Sequence, residues 1–159
     1  MKQQHVSLES FQIIGIKTRT TNAEEMKGAG RIQTLWNQFY SQQVVEKISG
    51  KVDAKIISVY HDYESNATGA YSVLVGVKVA AGTTVPEGMH LVNVPAQSYV
   101  QWTSRQGEMP GVVIELWQNV WQLESASELK RKYTMDLEIY DERSMNPANA
   151  IVELFIATK

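Results

Sequence analysis

The chain contains no cysteine. That excludes a disulfide scaffold, thiol catalysis and thiolate-ligated zinc or iron–sulfur centres, and it fits a reducing cytoplasm. Charge of one sign is also missing, since 15 Lys and Arg stand against 17 Asp and Glu for a formal net charge of -2. Without a basic excess there is no electrostatic footprint for nucleic acid, and direct nucleic-acid binding is not expected. The opening segment from Met1 to Ser10 is polar, and no apolar run reaches the length of a bilayer span. Neither export nor membrane insertion is expected, which leaves the cytoplasm as the expected location. His5, His61 and His90 are scattered, whereas a metal site needs converging ligands, so no metal is expected. Gly28, Gly30 and Gly50 do not make a phosphate-binding loop, no Ser/His/Asp arrangement is legible, and no cofactor is expected.

What is present is an ordinary globular composition, 43% hydrophobic and 20% charged over 159 residues. A chain of that length fits one domain spanning 1–159 and buries roughly 70% of its unfolded surface. Phe11 to Thr20 (FQIIGIKTRT) is rich in β-branched residues and reads as a strand, with Gly15 marking a bulge or a close backbone approach. A loop with Gly28 and Gly30 follows. From Arg31, the spacing of Ile32, Leu35, Trp36, Phe39 and Tyr40 predicts an amphipathic helix to about Lys47. Lys55 to Tyr63, Tyr71 to Val79, Met89 to Val94 and Gln97 to Arg105 read as extended runs, separated by Gly- and Pro-containing links. Pro110-Gly111 opens a second helix over Val112 to Leu123. Lys130-Arg131-Lys132 reads as a solvated turn, Tyr133 to Tyr140 as a strand, and Ala150 to Thr158 as the last strand.

The order strand, helix, strand, strand occurs twice, over about 11–79 and 97–158. Trp36 answers to Trp117, and Val59-Tyr60-His61-Asp62 answers to Ile139-Tyr140-Asp141-Glu142, which gives Ser58 the place in its unit that Glu138 holds in the other. Two β-α-β-β units side by side predict an α+β fold: an antiparallel sheet with two helices and a central groove where the units meet. Glu138 is the sharp candidate in that groove. In the run DLEIY it alternates away from Leu137 and Ile139 and shares a face with Tyr140. A desolvated carboxylate must be paired with a cation or give up its charge. The rings of Tyr140, Tyr60, Trp117 and Trp121 could supply cation–π attraction beside it. Glu153, with Phe155 two residues on, could be a second acid on the groove face. Two facing carboxylates would suit acid/base hydrolysis, so an enzyme remains an alternative.

These residues resemble the GyrI-like proteins, which include the effector-binding domains of AraC-type and MerR-type bacterial transcription regulators. The likeness runs through FQIIGIKTRT, IQTLWNQF, ISVYHDYE, YSVLVGVKV, VPAQSYVQW, the Trp117/Trp121 helix, DLEIYDER and IVELFIATK. It implies the duplicated, SHS2-type β-α-β-β fold and a groove for small, lipophilic, often cationic organic molecules, the multidrug-recognition type of site. The family's acid at the base of the groove falls on Glu138 and the acid of the last strand on Glu153, with Tyr140 and Phe155 at ligand-contacting places. The chain has no residues left over for a helix-turn-helix, so it looks like a free-standing effector domain. Non-catalytic ligand binding is the favoured expectation. A hydrolase of reactive natural products, or a partner of gyrase or of a separate DNA-binding regulator, are the alternatives the resemblance implies.

Overall fold

The computed structural model describes residues 2–28 and 30–159. Among them lie eight strands and three α-helices: β1 (Lys2–Leu8), β2 (Phe11–Thr20), α1 (Asn22–Met26), α2 (Ile32–Ser41), β3 (Ile56–His61), β4 (Tyr71–Val79), β5 (His90–Val94), β6 (Gln97–Thr103), α3 (Gly111–Ser125), β7 (Arg131–Tyr140) and β8 (Glu153–Thr158). No helix among the described residues is long and apolar enough to cross a membrane. The strands form one antiparallel sheet in the order β1-β6-β8-β7-β3-β4-β2-β5. Its centre is palindromic. β6-β8-β7 on one side mirrors β2-β4-β3 on the other, which is the duplicated β-α-β-β arrangement.

The sheet must curl, because β1 and β2 are joined through Glu9 and Ser10 alone although five strands separate them. A flat sheet would hold those two strands about 29 Å apart, and the link spans at most about 11 Å. Pro95 and Ala96 impose the same constraint between β5 and β6. Curling brings Val6, Leu8, Phe11, Ile13, Val94 and Tyr99 together over Leu137 and Phe155, so one face of the sheet closes on itself without a helix. Gly15 and Gly76 are directly paired at the β2–β4 crossing. A Cβ on either would sit 2.0 Å from a backbone carbonyl oxygen of the other strand, so the close approach read from Gly15 is what the structure contains.

The other face carries the helices. α2 covers one half through Leu35 and Phe39, and α3 the other through Val112, Leu116 and Val120. Several elements differ from expectation. The polar opening segment, for which no element was expected, forms β1 with His5 in it. α1 occupies part of the segment expected as a loop, and within that loop Ala29 lies outside the described residues, as does Met1. α2 stops at Ser41, with a short 3-10 turn at Val45–Lys47 after it.

Candidate functional site

At the seam between the two halves, β3 runs antiparallel to β7 with Ser58 directly opposite Glu138, Ile56 opposite Tyr140 and Tyr60 opposite Asp136. Directly paired residues point to the same face. Tyr60 and Tyr140 are therefore related across the seam, with the carboxylate of Glu138 and the hydroxyl of Ser58 at its midpoint. That face looks into a cavity of about 1180 Å³ between α2 and α3, lined by Trp36, Tyr60, Trp117, Trp121, Glu138 and Tyr140 among others. The volume suits a drug-sized molecule.

Glu138 is 2% exposed. Its Oε2 accepts hydrogen bonds from Tyr60 Oη and Trp117 Nε1, both at 2.7 Å, and its Oε1 accepts one from Tyr140 Oη at 2.5 Å. All three donors are neutral, and no Lys, Arg or His among the described residues makes an ion pair with it. Burial raises its pKa above the ordinary 4.5, and the three hydrogen bonds pull the other way. Burial, followed by the charge of Glu138, drives Tyr60 and Tyr140 well above the usual phenol value, so both remain donors. The rings fall into two groups that meet at Glu138. Trp117 meets Tyr60 edge to face at 5.0 Å and lies 6.3 Å from Trp121, while Trp36 meets Tyr140 edge to face at 4.9 Å.

A second acid lies one step along the same face. Asp136 is fully buried, but it is bound by Arg131 Nη2 at 2.8 Å, by the Ala157 backbone N–H at 2.9 Å and by Tyr63 Oη. Burial works against the Arg131 proton, yet Asp136 and the surrounding hydroxyls carry its pKa above the ordinary value. The stretch Lys130-Arg131-Lys132 is thus not a solvated turn. Lys130 and Lys132 are exposed, whereas Arg131 opens β7 as a buried cation.

Of the seven residues picked from the sequence, the structure brings five together at the cavity: Glu138, Tyr140, Tyr60, Trp117 and Trp121. Glu153 and Phe155 are placed elsewhere. Pairing of Ile139 with Glu153 and of Leu137 with Phe155 puts both on the opposite face of the sheet. There Glu153 pairs with Arg143 at 3.1 Å and accepts a hydrogen bond from Gln101, and Phe155 packs on Tyr99 at 6.1 Å between ring centres. The two carboxylates therefore do not face one another. Sequence reading missed Trp36 as a wall residue, although the repeat had matched it to Trp117, and missed the Arg131–Asp136 pair altogether.

The sequence pattern of Cass2, the integron-associated effector binding protein, matches residues 6–158. The chain belongs to this family. The chain is 32% identical over 156 residues to "Putative transcriptional regulator protein YobU" of Bacillus subtilis (strain 168), covering 98% of this chain and 95% of that protein. The crystal structure of integron cassette protein VCH_CASS2, from the mobile metagenome of Vibrio cholerae, is 33% identical, covers 99% of this chain and 95% of that one, and superposes with a TM-score of 0.77. SAV2435, solved bound to tetraphenylphosphonium, shares the fold with a TM-score of 0.76 at 17% identity, over 100% of this chain and 94% of that one. Membership places this Cass2-family chain among effector-binding proteins.

Proposed function

We propose that this protein binds amphipathic organic cations in the cavity between α2 and α3, as a multidrug-type effector-binding domain spanning 1–159. Glu138 supplies the counter-charge, and Tyr60, Tyr140, Trp117 and Trp121 supply dispersion and cation–π attraction of about 1–2 kcal/mol per well-placed ring. The observation that carries this reading is a carboxylate 2% exposed, held by three neutral donors and without an ion-pair partner among the described residues. A buried charge in that state is stabilised most by a ligand that brings the opposite charge. The tetraphenylphosphonium found in SAV2435 is a lipophilic cation of this class and supports the choice of probe.

The test compares tetraphenylphosphonium with neutral triphenylphosphine oxide by calorimetric titration. Wild-type protein should prefer the cation. Glu138→Gln should lose about 2–3 kcal/mol, on the order of a hundredfold, for the cation and little for the oxide. Equal losses for both would end the charge-pairing account. A further step on the same reading has the loaded protein act in the cytoplasm on a separate DNA-binding regulator or on gyrase; the relative named as a transcriptional regulator supports a regulatory role. Affinity capture from a bacterial lysate with and without tetraphenylphosphonium tests it, and recovery of neither partner under either condition would refute it.

A further inference from the structure

Resting on that reading of the cavity, we infer that Arg131 is the positioning residue of the ligand site, acting through Trp117. The guanidinium carbon of Arg131 lies 5.6 Å from the centre of the Trp117 ring, and the same indole donates its N–H to Glu138. Arg131 is itself seated in a cage, with the rings of Tyr133 at 4.3 Å and Tyr63 at 5.8 Å and with Asp136 at 2.8 Å. Glu124 of α3 approaches it at 3.7 Å and also accepts a hydrogen bond from Tyr133, tying the last turn of α3 to the same cage. One carboxylate, a protein cation and a ring thus hold the indole whose edge completes the second carboxylate. In the other half, Trp36 has no such support and stacks instead on the exposed ring of Tyr40.

The backbone shows how this placement is made. Asp136, Glu138 and Tyr140 alternate onto the cavity face, and regular alternation back from Asp136 would send Arg131 to the other face. β7 is irregular there. Arg131 pairs with Thr158 and Asp136 with Ile156, so the β7 stretch is longer than its partner, and Tyr133 takes φ 56°, a left-handed conformation rare for an aromatic residue. Bulges of this kind re-aim side chains beside functional sites. Here the result is that Arg131 reaches Asp136 and the face of Trp117 instead of the opposite side of the sheet. The guanidinium is planar and can present its face to several rings at once, whereas an ammonium is a compact, strongly hydrated point charge, so this seat suits Arg better than Lys.

The experiment is a double-mutant cycle on tetraphenylphosphonium affinity. Arg131→Lys keeps the charge beside Asp136 but removes the flat stacking group, and Trp117→Phe removes the N–H. Each should weaken binding about tenfold, the loss of one charge-assisted hydrogen bond to Glu138. Because both act on one contact, the double variant should also lose about tenfold rather than about a hundredfold. Arg131→Met combined with Asp136→Asn, which removes the ion pair without leaving a lone buried charge, carries the same cycle if the lysine variant does not fold. Full additivity, or unchanged affinity in a folded Arg131 variant, overturns the inference. Wild-type protein that fails to bind the cation at all would instead refute the proposed function, so the two failures are distinguishable.

Discussion

Asp136 and Glu138 stand two residues apart on one strand, point to the same face and are both nearly inaccessible to water, yet the protein treats them differently. Asp136 is neutralised from within by Arg131 and satisfied by a backbone N–H. Glu138 receives hydrogen bonds of comparable number, but no cation among the described residues pairs with it. Desolvation is paid at both places, and only at the first does the chain itself supply the compensating charge. The seat of Arg131, a carboxylate with aromatic rings around a flat cation, is thus an internal precedent for the cation that the proposed function assigns to Glu138. Breaking the completed pair would strand a buried charge, whereas the proposed incomplete one leaves a charge for a ligand to pair at the expense of stability.

That contrast can be broken most forcefully at Asp136. Asp136→Ala leaves Arg131 buried and unpaired and should cost about 3–5 kcal/mol, read as a fall in the urea midpoint without a change in slope. If the loss is no larger than for a surface acid, the two sites are not distinguished by pairing. Glu138→Gln should move the other way, because an amide can accept from Tyr60 and Trp117 and donate to Tyr140 without carrying charge. A gain of about 1 kcal/mol is expected at neutral pH, or about 2–4 °C in Tm. The sign with pH follows from the raised pKa of Glu138. The folded state holds this proton more tightly than the unfolded state, so wild-type stability recovers as pH falls toward 4.5 and the advantage of Glu138→Gln fades with it. An advantage that is constant with pH would mean the carboxylate charge is not its source. The smallest effect is expected at Glu153, whose side chain lies across the sheet. Glu153→Gln should change tetraphenylphosphonium affinity by less than about twofold, within the range of a residue that does not touch the ligand.

Much of the scaffold can be read from residue pattern alone, for identifiable reasons. β4 is buried along almost its whole length, and its apolar run has the same limits as the observed strand. β2 and β3 carry β-branched runs. β1 was invisible because it is an edge strand whose first residues, Lys2 to His5, are exposed and polar, so only Val6 and Leu8 carry the alternation. The site was legible to the extent that it lies within one strand or one repeat: Glu138 and Tyr140 share a face by alternation, and Tyr60 follows by symmetry. Period two cannot tell which face of one strand matches which face of the next, since that depends on register. That is why Glu153 and Phe155 looked like groove residues until the pairing of Ile139 with Glu153 fixed them on the far side. Arg131 escaped for a related reason, because the irregularity around Tyr133 shifts the phase of the alternation.

The central claim, that Glu138 is a carboxylate waiting for a cation, is tested most directly by counting protons. Tetraphenylphosphonium has no titratable group, so any proton exchanged on binding belongs to the protein. Calorimetric titrations in buffers of differing ionisation enthalpy, run from neutral pH down to the ordinary carboxylate value of 4.5, give that count. The prediction is proton release that grows as pH falls toward the raised pKa of Glu138 and is absent in Glu138→Gln. Binding with no proton release anywhere in that range, or with the same release from both proteins, would contradict it.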